Sequence, residues 1–255
     1  MRLFKAFAAV VGAILPAGLA LAEEHDHDHD HAHVDIFIAR DAANRLFTGA
    51  ADLDHGQYTI GQRVYGLELD EFLASTSPGF VAVAASSVPA GYLPLPPATL
   101  LFVDIVPHTI STLSANLFYW DGAGEVAFGA VPEGTTFHLQ RLSPAQDFAA
   151  DGTNTTLAGF RVAQTTAAGA IHWHPNYLLD GPGAAAPADG IYLMPFQMSM
   201  SGLSNSDTAF LVINKGMSEQ VHEQAMDYVA TSVVPEPASI GLVLGAALLC
   251  LRRRR

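Results

Sequence analysis

From residue 34 onward, short apolar runs alternate with clusters of Gly, Pro, Asn and Asp. Runs rich in Val, Ile, Phe, Tyr and Leu occupy 34–39, 57–69, 80–84, 100–106, 116–120, 125–128, 135–142, 157–164, 170–174, 191–200 and 209–214. Their length and turn punctuation predict strands. Together they predict a mainly β protein, an antiparallel β-sandwich or jelly-roll-like single domain over 34–230 and not a βαβ fold. Period-two alternation is visible in 135–142, where Phe137 and Leu139 share one side and His138 and Gln140 the other. Pro195 inside 191–200 predicts a sheet edge, because proline gives no N–H to a ladder. One C-terminal helix is predicted from Ser218 as N-cap to about residue 230, with Val221, Ala225, Tyr228 and Val229 at helical spacing. The Pro/Gly/Ala-rich segments 86–97 and 181–189 predict loops.

The two ends follow a different pattern. Arg2 and Lys5 precede an apolar stretch over 6–21 that closes on Ala20-Leu21-Ala22. This is the charge, apolar run and small-residue site of a secretory signal peptide over 1–22, and it suits a buried N-terminal helix less well. At the other end, 231–255 holds Pro235, Glu236 and Pro237, an apolar run of 14 residues, and Arg252, Arg253, Arg254 and Arg255. As a helix that run spans about 21 Å at ~1.5 Å per residue, short for a bilayer core of ~30 Å. It reads as a marginal transmembrane helix whose arginines stay cytoplasmic, with the residues before Pro235 outside.

An ordinary short anchor fits these residues. The Pro-Glu-Pro triplet followed by a short apolar helix and a basic cluster also resembles the PEP-CTERM sorting signal. That resemblance implies an exosortase-type membrane protease as partner and a Gram-negative source. It further implies membrane anchoring by the C-terminal helix before processing, then a cell-surface or extracellular location, where a polysaccharide matrix is a candidate partner.

Removing both ends leaves six Lys+Arg against 24 Asp+Glu, a net charge of −18 with histidines neutral. Such a body repels nucleic acid and attracts cations. Cys250, the single cysteine, lies in the tail, so the exported body has no disulfide, thiolate nucleophile or cysteine metal site. No nucleophile elbow, P-loop, dinucleotide fingerprint or His-Glu-x-x-His motif occurs, and no enzyme is expected.

The remaining chemistry is histidine. The segment 23–33 reads as a flexible His/Asp-rich run holding His25, His27, His29, His31 and His33. In an extended chain these five share one side, and alternate carboxylates add oxygen ligands and charge. A merely solubilising tail or an acquired affinity tag would share this composition. Continuing into 34–39, Val34, Ile36 and Ile38 face the core and Asp35 the opposite side. The second constellation is Ile171-His172-Trp173-His174. In a strand, His172 and His174 project to one face while Ile171 and Trp173 enter the core. The expected metal site joins His172 and His174 with ligands from His31, His33 or Asp35. Zinc is the expected ion, with copper or nickel also suited to imidazole. His55, His108, His138 and His222 are expected to be structural or exposed.

Four short motifs occur along the chain in this order: His31-Ala32-His33-Val34-Asp35-Ile36, Ser77-Pro78-Gly79-Phe80, Phe118-Tyr119-Trp120-Asp121-Gly122 and His172-Trp173-His174. In this order they resemble a family of PEP-CTERM proteins repressed by the zinc-uptake regulator. The resemblance implies expression under zinc starvation and a role in zinc acquisition or sparing outside the cytoplasm. The function expected is an exported surface protein that scavenges or carries divalent transition metal. The alternative is a structural or adhesive matrix protein whose histidines are incidental.

Overall fold

Residues 34–234 are described in this computed structural model. The signal peptide, the His25–His33 run and the sorting tail with Pro235, Glu236, Pro237 and Arg252–Arg255 lie outside them. The chain starts with β1 (Val34–Arg40), β2 (Leu46–Asp52), β3 (Gln57–Ile60), β4 (Val64–Glu68), β5 (Ala74–Ser75) and β6 (Phe80–Ala82). It continues with β7 (Leu100–Ile105), β8 (His108–Ile110), β9 (Leu113–Ala115), β10 (Phe118–Trp120), β11 (Gly129–Ala130) and β12 (Thr136–Leu142). Then come β13 (Ala145–Ala150), β14 (Leu157–Gln164), β15 (Ile171–Trp173), β16 (Asn176–Asp180), β17 (Gly190–Met200) and β18 (Ala209–Lys215). Helix α1 (Glu219–Tyr228) closes the fold and runs into a π turn over Val229–Val233. The described body is thus mainly β, and its one α-helix stands where helical spacing predicts it.

Three sheets matter here. One has the order β15-β6-β1-β2-β3; a larger one runs β11-β10-β17-β18-β4, with β7 paired to β17 and β14 beyond it; a third is β13-β12-β16-β5. All three send side chains into one core, which includes Ile36, Phe80, Phe137, Tyr177, Met198 and Leu211. Each strand supplies alternate residues to it, as a pleated ribbon must. β1 is buried on both faces: Ile36 and Ile38 enter this core, while Phe37 and Ala39 join Ala51 and Val81 in a small second cluster. A one-sided reading of that strand is therefore incomplete, and the second cluster is why the Asp35 side is enclosed.

Three sequence expectations are corrected. Pro195 is not on an edge, since β17 pairs with β18 at Pro195–Phe210 and takes β10 and β7 on its other side. Pairing with β10 ends at Leu193 and pairing with β7 begins at Phe196, so the absent N–H falls where the neighbour changes. The run 57–69 is two strands in different sheets, broken after Ile60 by Gly61 at φ +92°. Residues 125–128 form no strand; the pairing starts at Gly129. Ser218 does stand at the N-cap, although its side chain makes no capping hydrogen bond. No helix among the described residues is long and apolar enough to cross a membrane.

Candidate metal centre

The strand order brings Asp35 to the two histidines. β6 lies between β1, with which it is parallel, and β15, with which it is antiparallel. Ile36 is level with Phe80, and Trp173 is also level with Phe80. Asp35, Gly79 and His174 therefore form one row across three strands, with His172 two positions along beside Val81. Alternation sends Ile171 and Trp173 toward the main core and the two imidazoles to the other face, as the sequence predicts.

The convergence depends on Gly79. A Cβ there would lie 2.6–2.8 Å from three atoms of the His174 ring. With only hydrogen at that position, the His174 ring lies over the backbone of the central strand and meets Asp35 from the far side. The Gly79 N–H donates to Asp35 Oδ1 at 2.7 Å, and Ile36 N–H donates to the Gly79 carbonyl at 2.8 Å. The segment before Gly79 is held from below by the Tyr177 hydroxyl, which donates to the Pro78 carbonyl at 2.9 Å. Burial, and then the charge of Asp35, raise the Tyr177 phenol well above its ordinary value, so it remains a neutral donor.

The ligand atoms meet at close range. His172 Nε2 is 2.9 Å from His174 Nε2 and 3.2 Å from Asp35 Oδ2, and His174 Nε2 is 3.7 Å from Asp35 Oδ2. Three donors of a tetrahedral ion with bonds of ~2.0–2.1 Å stand about 3.3 Å apart, and the observed triangle brackets that spacing. Outer contacts orient the set. His174 Nδ1 stands 2.8 Å from the Thr76 carbonyl, which can only accept, so Nδ1 carries the proton and Nε2 presents its lone pair. Asp35 Oδ1 is occupied by Gly79, which leaves Oδ2 for the cluster.

Burial adds an electrostatic argument. The Asp35 side chain is 3 % exposed, whereas His172 and His174 are 52 % and 39 % exposed. A buried carboxylate needs a paired cation. Among the described residues, the basic groups beside it are these two imidazoles, at 3.2 and 3.7 Å, which carry charge only when protonated. The arrangement offers two nitrogens and one oxygen to a cation, with the exposed imidazole side facing solvent.

Of the predicted ligands, Asp35, His172 and His174 come together; His25, His27, His29, His31 and His33 lie outside the described residues. Thr76 and Gly79 were not singled out as site residues by the sequence reading, although Gly79 belongs to the quoted Ser77-Pro78-Gly79-Phe80 motif.

The other histidines are held by local partners. His55 Nδ1 pairs with Asp52 at 2.8 Å in an exposed turn. His138 lies between Asp147 at 2.8 Å and Thr136 at 2.9 Å on the polar face of β12. His108 packs edge-on to Phe210, and burial lowers its pKa. His222 is buried between α1 and the larger sheet, with Nδ1 2.6 Å from Glu68 Oε1 and Nε2 3.0 Å from the Val212 carbonyl. Burial opposes charging of this ring, but Glu68 outweighs it and the net pKa shift is upward. Asp104, an acidic residue within an apolar run, accepts from Gly159 N–H at 2.6 Å, so its place in β7 is explained by a hydrogen bond.

No protein-family model matches the chain, and a comparison with curated proteins finds no match.

Proposed function

We propose that this protein binds a divalent transition metal, zinc foremost, at Asp35, His172 and His174, and that it scavenges or carries that ion outside the cytoplasm. The observation that carries the reading is the meeting of two imidazole nitrogens and a buried carboxylate oxygen across three neighbouring strands. A β-sandwich scaffold belongs to the same reading, supported by one core shared among three sheets. So do export, display at the cell surface through the PEP-CTERM-like tail, and kinship with the zinc-repressed family; these rest on the sequence motifs. His31 or His33 supplies a further ligand from the same chain, and the His/Asp run raises the local concentration of metal beside the folded site. Copper competes by intrinsic affinity, so zinc is favoured by supply and not by ligand chemistry alone.

The test is a zinc titration of the exported chain and its His172→Ala/His174→Ala variant. The expected result is loss of one high-affinity equivalent in the variant. Unchanged high-affinity stoichiometry would overturn the assignment.

A further inference from the structure

A second group of ligand atoms lies in a different part of the molecule. Glu219 and His222 are three residues apart on α1, a spacing that puts both on one helix face. Glu68 ends β4, whose parallel pairing with β18 sets Glu68 level with Asn214. One ligand atom from each of Glu68, Glu219 and His222 lies within 4.8 Å of the others.

The buried member of this group is already oriented. His222 is 4 % exposed, and its Nε2 faces the Val212 carbonyl at 3.0 Å. A carbonyl only accepts, so Nε2 holds a proton and Nδ1 is the nitrogen that faces the two carboxylates. Metal-bound histidines show this same outer contact, with the distal N–H on a backbone carbonyl. The carboxylate of Glu68 is oriented too, since Asn214 Nδ2 donates to its Oε1 at 3.1 Å. Asn214 is in turn fixed by the following turn, where it accepts from Met217 N–H and donates to the Met217 carbonyl, both at 3.0 Å. Gly66 clears the ring: a Cβ there would come within 3.0 Å of His222 Cε1. Two carboxylates beside one imidazole match the charge of a divalent ion.

We propose a second metal position formed by Glu68, Glu219 and His222, distinct in composition from the first. One nitrogen and two carboxylates make it oxygen-rich, suited to zinc, cobalt, manganese or ferrous iron and ill-suited to cuprous copper. An ion there ties α1 to β4 directly and to β18 through the Val212 carbonyl. This assignment stands independently of the Asp35 site.

Cobalt(II) is the probe, because its visible spectrum reports coordination number. The protein is the exported chain with His25, His27, His29, His31, His33, His172 and His174 replaced by alanine, which removes the first site and the His/Asp run as competitors. The expected result is one equivalent of cobalt with the weak visible bands of a five- or six-coordinate ion, and a thermal midpoint raised by cobalt. Glu219→Gln should abolish both effects, and its metal-free midpoint is measured alongside so that loss of the first-turn charge at the helix N-terminus is read separately from loss of the metal. His222→Ala disturbs buried packing, so Glu219→Gln carries the decision. Failure to bind stoichiometric cobalt, or binding equally strong in Glu219→Gln, would overturn the proposal.

Discussion

The two imidazole–carboxylate groups invert each other. At the first, the acid is buried and the histidines are exposed; at the second, the histidine is buried and the acids are exposed. In each, the enclosed group has its remaining atom fixed by backbone, Asp35 by the Gly79 N–H and His222 by the Val212 carbonyl, and an exposed partner is held as well, His174 by the Thr76 carbonyl and Glu68 by Asn214. The two groups thus differ in which partner is enclosed, while contacts outside the ligand set orient both. The first group sits on the outer face of three edge-side strands and supports little else. The second lies between helix and sheet and also holds the fold together.

That contrast is tested most strongly by stability. In metal-free protein, His222→Ala should lower the unfolding free energy by about 2–4 kcal/mol, because it opens a space under α1 and strands the Val212 carbonyl. His172→Ala should change it by no more than about 0.5 kcal/mol, as an exposed substitution. Urea unfolding in the presence of a chelator measures both, and equal losses would erase the distinction.

The next effect is on affinity. Gly79→Ala should weaken metal at the first site by about 10–100-fold while the second site is unaffected, because the added methyl displaces only the His174 ring. Competition against a chromophoric chelator reads this directly. Retained affinity would mean that the ring does not need the bare backbone beneath it.

The smallest effects concern the support beneath the first site. Tyr177→Phe removes one buried hydrogen bond, at a cost of about 1 kcal/mol. It should also change the response to alkali. Burial above all raises the phenols of Tyr65, Tyr177 and Tyr192 above their ordinary value. A phenol that ionises later in the folded state stabilises fully below the unfolded value of about 10, and that contribution is lost as pH rises beyond it. Stability should therefore fall above about pH 10, and fall less steeply in Tyr177→Phe, when urea midpoints are compared across pH.

Much of the scaffold was legible because alternation is a local signal. The run 157–164 is β14 residue for residue, and Phe137 and Leu139 face the core as their spacing requires. β2 escaped because Gly49, Ala50 and Ala51 carry little strand preference. There the bare Gly49 allows the close approach of Thr59, whose carbonyl would lie 1.8 Å from a Cβ. β13, with three alanines in six residues, escaped for the same reason.

At the first site, the common face of His172 and His174 and the outward side of Asp35 follow from period two. The placement of β6 between them, and hence the role of Gly79, is a matter of strand order that no local pattern encodes. On α1, periodicity marks Val221, which packs against the core, and Ala225, which is fully enclosed, but not His222, which is enclosed beside them. A polar residue on the buried stripe was passed over because its partners, Glu68 and Val212, belong to other strands. The Glu219-x-x-His222 spacing was the available signal.

The most direct test of the account is anomalous diffraction at the zinc edge from crystals of the zinc-loaded protein. The predicted result is a peak bonded at about 2.0–2.2 Å to Asp35 Oδ2, His172 Nε2 and His174 Nε2. Zinc bound by other residues, with no peak between these three atoms, would contradict it.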